Sequence, residues 1–180
     1  LIIVLTVLNA TAESGTVRYS CPAITADVGQ KILLGNYAVE FSNGISTSAS
    51  DITWTSKDLN IGSDGSITAV APGVFELTAT AGTKVRTVYL VVKNVGDTEY
   101  VLYYNDFSGT DISDFTVIQK STGATVAVEN GQLVLDASSS SSNYIRILLP
   151  SWLSVFGNCK ITADITMAKA ASSSNWISLM

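Results

Sequence analysis

Hydrophobic and polar residues alternate in short runs along most of the chain, and turn residues separate the runs. In the run 75–80, Phe75, Leu77 and Ala79 occupy every second position, and the run 87–92 has the same period. From Ile24 onward no helical i, i+3, i+4 stripe is long enough to predict a helix. We therefore predict an all-β chain of short strands, each with one face toward solvent, stacked as sandwiches.

Turn-forming dipeptides mark where these strands reverse. Asp64-Gly65 and Asn130-Gly131 both permit the positive φ angles of a type I′ turn, so each predicts a two-residue hairpin. Further on, the periodicity predicts two inward-facing sets of side chains. They are Ile145, Ile147 and Leu149 in one strand, and Ile161, Ala163, Ile165 and Met167 in the next.

The short polar segment 95–99 divides the chain into two predicted modules. We expect the first over 15–94 and the second over 100–180, with 95–99 as a linker. Residues 1–14 hold the apolar run 1–8 and an Ala-x-Ala pattern, which favours a signal-peptide remnant over a strand of an upstream domain. The apolar segment 174–180 breaks off in mid-alternation, so we expect a fragment cut at both ends.

Four segments of the first module carry a resemblance. They are Ile52-Thr53-Trp54-Thr55-Ser56, the string Gly65-Ser66-Ile67-Thr68-Ala69-Val70-Ala71-Pro72-Gly73, the segment Leu77-Thr78-Ala79-Thr80 and the valine-rich strand Val88–Val92. Together they resemble the group 2 bacterial Ig-like domain, although Leu59-Asn60-Ile61-Gly62 departs from the usual valine-rich pattern. The resemblance implies a small spacer or adhesion sandwich without catalytic residues. Trp54 is expected to pack in its core.

The second module has its own sequence of short motifs. Asp106-Phe107-Ser108-Gly109, Asp114-Phe115-Thr116-Val117, the run 129–136, the run 161–165 and Trp176–Met180 follow one another in that order. This order resembles the opening half of concanavalin-like jelly rolls, which include laminin-G-like modules and a related domain near family 16 glycoside hydrolases. The resemblance implies a truncated jelly-roll β-sandwich, so the predicted fold is an Ig-like β-sandwich followed by part of a jelly roll.

The composition and charge of the chain argue against several classes of function. The chain has no histidine, so it lacks the commonest general base at neutral pH and the commonest zinc ligand. A net charge of −5 with scattered basic residues argues against nucleic acid as a partner. The eight-residue apolar run is too short to span a bilayer, so no membrane span is expected in the mature chain. The second module shows no paired carboxylates on one strand face, as glycoside hydrolysis requires, so no catalytic residue is predicted.

Several residues are candidates for binding. Tyr144, Trp152 and Trp176 could stack on sugar rings, although packing roles for the two tryptophans are the alternative. Asp106 and Asp136 are candidate oxygen ligands for a structural calcium ion, the only cofactor considered. Cys21 and Cys159 lie 138 positions apart in different predicted modules, so two unpaired thiols are favoured over a disulfide.

The leading functional hypothesis is a secreted or cell-surface bacterial module for adhesion or carbohydrate binding, with the Ig-like part as a spacer and a glycan or cell-wall polysaccharide as partner. The alternative is an accessory N-terminal region of a larger polysaccharide-active or other hydrolytic enzyme whose catalytic domain lies outside this chain. A third hypothesis makes both modules spacers.

Overall fold

The structure, a computed structural model, describes residues 3–7, 14–137, 144–157 and 159–167. Within these ranges the chain is almost entirely β, as the alternating pattern predicts, and its helices are three short 3-10 segments, Leu34–Asn36, Ala49–Asp51 and Ser151–Val155. The strands are β1 (Ile3–Val7), β2 (Gly15–Val17), β3 (Ala23–Asp27), β4 (Lys31–Leu33), β5 (Tyr37–Ser42), β6 (Ile45–Thr47), β7 (Thr53–Thr55), β8 (Ser66–Thr68), β9 (Gly73–Ala81), β10 (Lys84–Lys93), β11 (Val101–Asn105), β12 (Thr116–Lys120), β13 (Thr125–Glu129), β14 (Gln132–Asp136), β15 (Ile145–Leu148) and β16 (Cys159–Ala163).

The chain divides into two compact units. The first unit comprises Val4–Tyr103 together with Val155–Ile161, and the second unit is built around Tyr104–Ser154. The chain therefore leaves the first unit after Tyr103 and contributes to it again from Val155. A three-stranded sheet has the order β11-β1-β16.

Most of the first unit is formed by sheets of four, three and two strands. Their orders are β3-β10-β9-β7, β2-β5-β6 and β4-β8. The long strands β9 and β10 form an antiparallel hairpin, whereas β3 runs parallel to β10 with Ala23 opposite Tyr89 and Asp27 opposite Lys93. Strand β2 likewise runs parallel to β5.

Alternate residues of these strands meet in one apolar core. Most of its buried members come from β2, β3, β4, β5, β8, β9 and β10, while Leu34 comes from a 3-10 helix and Ala69 follows β8. Trp54 of β7 and Phe75 of β9 pack against this core. Leu77 and Ala79 are buried while Glu76 and Thr78 are less so, which confirms the predicted inward face of β9. The core members are Val17, Ile24, Ala26, Ile32, Leu34, Tyr37, Val39, Ile67, Ala69, Leu77, Ala79, Val88, Leu90 and Val92.

Strand β10 departs from the expectation of one wet face. Its residues from Val88 to Val92 are all buried, including Tyr89 and Val91 on the face that the periodicity assigned to solvent. The ring of Phe156 lies 5.3 Å from that of Tyr89, between centroids. The returning segment Val155–Ile161 thus contributes to covering the second face of β10, a contact between residues 67 positions apart that local alternation does not reveal.

The Asp64-Gly65 prediction is right about the turn and wrong about the hairpin. The Gly65 N–H donates to the Gly62 carbonyl at 2.9 Å, and the Gly62 N–H donates to the Ser66 carbonyl at 2.8 Å. However, Ile61 lies outside any strand, and β8 pairs with β4 instead, placing Ile67 opposite Ile32.

The second unit contains two antiparallel pairs, β12-β15 and β13-β14. Asn130 and Gly131, at φ 51° and 72°, join β13 to β14 as predicted, with Glu129 opposite Gln132. Phe107 and Phe115 are buried, and their rings stack with centroids 5.8 Å apart. A small aromatic core therefore anchors the loop between β11 and β12.

The predicted inward face of the last segment is wrong. Strand β16 ends at Ala163, and Ile165 and Met167 lie beyond its end, where both are exposed. Ile161, inside the strand, is exposed as well. In the part of the chain that the structure describes, no helix has the length and apolar character needed to cross a membrane.

Candidate functional site

The side chains of Tyr144, which precedes strand β15, and of β15 itself alternate between two environments. Ile145 and Ile147 are half-buried, whereas Tyr144, Arg146 and Leu148 are exposed. Strand β12 pairs alongside, with Thr116 opposite Leu148 and a register shift between Val117 and Gln119. We call the exposed set Tyr144, Arg146 and Leu148 the β15 strip. Because residues two apart point to the same side of a strand, the strip presents one aromatic, one cationic and one aliphatic side chain to solvent.

The backbone of Tyr144 is fixed although its side chain is exposed. Its N–H donates to Ser121 Oγ at 3.1 Å, and the Ser121 N–H donates to the Tyr144 carbonyl at 3.0 Å. The residue as a whole is 45% exposed. A ring carried on a fixed backbone loses little conformational entropy when a ligand stacks on it.

Arg146 supplies the polar component of the strip. Its side chain is exposed, and a guanidinium group offers five N–H donors in a fixed planar arrangement. Exposed Thr116 on the paired strand adds a hydroxyl group, which both donates and accepts. The strip therefore combines an apolar ring with donors and acceptors that suit a hydroxyl-rich ligand.

Trp152 lies in the 3-10 helix Ser151–Val155, shortly after β15, and is half-buried. Its neighbour Leu153, which belongs to the second unit, is buried. Trp152 thus keeps part of its surface accessible and belongs to the same unit as Tyr144. Trp176, the third predicted stacking residue, lies outside the described residues.

The two predicted calcium ligands are not brought together. Asp136 ends β14, about 17 Å along the strand from the hairpin turn at roughly 3.4 Å per residue. Asp106 lies near the other end of the hairpin, at its turn. Its sequence neighbour Phe107 is close to that turn, because a Cβ on Gly131 would lie 4.0 Å from the Phe107 carbonyl oxygen. In the described ranges no group of three His, Cys, Asp or Glu residues is placed to hold a metal ion.

The carboxylate of Asp106 instead shapes its own loop. It accepts the Ser108 N–H at 3.0 Å, and hydrogen bonds from Ser108 lower the pKa of Asp106. Asn105 accepts the Phe107 N–H at 2.8 Å in the same manner, and Asp111 accepts that of Ser113 at 2.8 Å. These are Asx turns, in which an Asn or Asp side chain accepts the backbone N–H two residues further on.

Charged and aromatic side chains gather around buried Glu40 in the first unit. Glu40 lies on the face of β5 opposite to Tyr37 and Val39, yet it is only 8% exposed. Its carboxylate accepts the Tyr19 N–H at 2.7 Å and lies 3.6 Å from Arg18. The Arg86 guanidinium donates to the carbonyls of Glu40 and Tyr19, and it lies 4.5 Å from the centre of the Tyr19 ring. Every described contact of this cluster is internal, so we assign it to holding the turn before Cys21.

No protein-family model, curated protein or solved structure matches this chain. The function is therefore inferred from the geometry described above.

Proposed function

We propose that this chain is a non-catalytic, secreted or cell-surface module that binds carbohydrate through its second unit, with the first unit as a spacer. The observation that carries the proposal is the β15 strip, in which Tyr144 is held by backbone hydrogen bonds while its side chain stays exposed beside Arg146.

Carbohydrate suits the strip for a chemical reason. The C–H face of a pyranose ring is flat and apolar, whereas its rim carries hydroxyl groups. The Tyr144 ring provides a matching apolar face, and Arg146 and Thr116 provide donors and acceptors for the rim. Half-buried Trp152 in the same unit is a second candidate stacking surface.

The spacer role rests on the construction of the first unit. Its four-stranded and three-stranded sheets have the strand count of an Ig-type sandwich, and Trp54 packs on their core as the resemblance leads us to expect. A sandwich with a continuous apolar core is a mechanically sound spacer. The parallel pairing of β3 with β10 joins the beginning and end of that sandwich directly.

The test is glycan-array binding by the full chain, followed by affinity measurement on the best glycan. We expect Tyr144→Ala to weaken binding about tenfold, the effect of losing roughly 1.4 kcal/mol of stacking energy. Tyr104→Ala is the matched control, because Tyr104 is a 55% exposed tyrosine on another strand of the same unit.

Two results would contradict the proposal. One is an array on which the folded chain binds no glycan. The other is equal loss of affinity in the Tyr144 and Tyr104 variants, because the strip would then have no special role. Circular dichroism of both variants verifies that the fold is retained.

A further inference from the structure

The two cysteines of the chain belong to the same compact unit. Cys21 lies in the first unit directly, and Cys159 begins β16 in the segment Val155–Ile161 that contributes to that unit. The sequence-based reason for leaving them unpaired, that they lie in different modules, is therefore wrong. Cys21 is 3% exposed and Cys159 is half-buried. The chain contains no other cysteine.

The segment just before Cys159 is attached to the residue just before Cys21. The Gly157 N–H donates to the Ser20 carbonyl at 2.6 Å. A Cβ on Gly157 would lie 3.3 Å from Ser20 Cβ and 3.2 Å from the Ser20 carbonyl oxygen, so this close approach favours glycine.

The residue after Cys21 is held to the same segment through Tyr89. The Tyr89 N–H donates to the Pro22 carbonyl at 2.8 Å, and the Tyr89 ring contacts that of Phe156. The residues on both sides of Cys21, Ser20 and Pro22, are thus connected to the segment that precedes Cys159, Ser20 directly and Pro22 through Tyr89.

The titration of Cys21 agrees with this placement. Burial raises the pKa of the Cys21 thiol, and the nearby Cys159 thiol raises the pKa further. The effect of Cys159 has the sign expected for a second thiol close enough to disfavour the Cys21 thiolate, and the placement itself rests on the contacts of Gly157 and Tyr89.

We propose that Cys21 and Cys159 form an intramolecular disulfide bond, which makes the pair an oxidative modification site of the first unit. The proposal does not depend on carbohydrate binding. It does fit the secreted or cell-surface location, because disulfides persist in oxidising compartments.

The bond forms by exchange with an external small-molecule disulfide such as oxidised glutathione. The more accessible Cys159, as thiolate, attacks one glutathione sulfur and releases the other as a thiolate, leaving a mixed disulfide. Cys21 then loses its proton to solvent, and its thiolate attacks the Cys159 sulfur and releases the second glutathione. In total two protein thiols are oxidised to one disulfide, and one oxidised glutathione is reduced to two thiols.

Cys159 is the first nucleophile because Cys21 is buried and its thiolate is disfavoured. The closing step therefore depends on deprotonating Cys21. We expect the mixed disulfide at Cys159 to accumulate near pH 7 and to close faster as pH rises, since the fraction of Cys21 thiolate increases with pH.

The experiment uses the reduced, folded full chain incubated with oxidised glutathione without denaturant. Free thiols are then counted with a maleimide after unfolding, and the linked peptides are identified by mass spectrometry. We expect both thiols to disappear together, with a peptide joining Cys21 to Cys159. Oxidation should raise the melting temperature by about 10 °C, because the bond closes a loop of more than 100 residues.

Three outcomes would overturn the proposal. The first is two glutathiones bound per chain, and the second is a disulfide that links two chains. The third is two thiols that stay free although the reagents react with Cys21 in unfolded Cys159→Ser protein, which serves as the control. Formation without denaturant is itself a test of placement, since a disulfide needs Cα atoms about 4.4 to 6.8 Å apart.

Discussion

At the scale of single residues, Glu40 shows what a buried carboxylate does in the first unit. The Tyr19 N–H belongs to a turn and donates to Glu40 at 2.7 Å. Arg86 donates to the backbone carbonyls of Glu40 and Tyr19, and the Glu40 carboxylate lies 3.6 Å from the Arg18 guanidinium. Removing the Glu40 carboxylate takes away the acceptor of the Tyr19 N–H, and leaving a partly buried donor unsatisfied costs more than the net value of the bond.

We therefore expect Glu40→Ala to lower the free energy of unfolding by about 2–3 kcal/mol. Glu40→Gln should cost clearly less, because its amide oxygen can still accept the Tyr19 N–H. Urea denaturation of both variants measures the difference.

The control is Glu76→Ala, which removes an exposed salt bridge to Lys57 at 3.1 Å and should cost under about 1 kcal/mol. Equal losses in Glu40→Ala and Glu76→Ala would show that the buried cluster contributes no more than a surface pair.

At the scale of strands and turns, the hairpin β13–β14 is set by its two central residues. Asn130 and Gly131 both have positive φ, the combination that a type I′ turn requires. We expect Gly131→Ala to destabilise the second unit by about 1 kcal/mol, because an alanine Cβ is strained at φ 72° even though its nearest neighbour, the Phe107 carbonyl oxygen, lies at an ordinary contact distance of 4.0 Å.

Gly109→Ala is the matched control in the same unit, since a Cβ there meets no atom within 4 Å and φ is not positive. Thermal unfolding of the two variants makes the comparison. A Gly131→Ala protein as stable as the control would mean that the turn relaxes into another type.

The strands show where sequence-based prediction succeeds and where it stops. The period of two and the Asn130-Gly131 pair are local signals, so the all-β class, the face of β9 and the register of β13–β14 follow from them. The pairing of β8 with β4 and the covering of Tyr89 by Phe156 depend on residues far apart in the chain. No local pattern encodes such contacts.

The same distinction holds for the candidate site. The alternation along 144–149 correctly predicted that Tyr144 would face outward and Ile145 and Ile147 inward. The separation of Asp106 from Asp136, by contrast, depends on which end of the hairpin meets the loop at Phe107. Residue type alone suggested a shared site that the tertiary arrangement does not form.

At the scale of the whole molecule, each compact unit has its own apolar core. Trp54 packs against the core of the first unit, and Leu153 is buried in the second. We expect calorimetry to resolve two transitions. Trp54→Ala should reduce the free energy of unfolding of the first unit alone, by about 3 kcal/mol, and so lower only that unit's transition temperature. Leu153→Ala should do the same to the second unit alone, by about 2–4 kcal/mol.

Trp54→Phe separates packing from hydrogen bonding. The Trp54 indole nitrogen is buried and has no hydrogen-bond partner among the described atoms, so phenylalanine keeps much of the packing and removes an unsatisfied donor. Its cost should stay below about 1 kcal/mol. A single transition shifted equally by the Trp54→Ala and Leu153→Ala variants would contradict the two-core description.

The way β10 is covered has a consequence for biosynthesis. Tyr89 leaves the ribosome more than sixty residues before Phe156, a delay of several seconds at about 5–20 residues per second. Throughout that interval the Tyr89 face of β10 lacks the part of its cover that Phe156 provides. We expect a nascent chain stopped before residue 155 to bind chaperones or aggregate more readily than one stopped after Ile161.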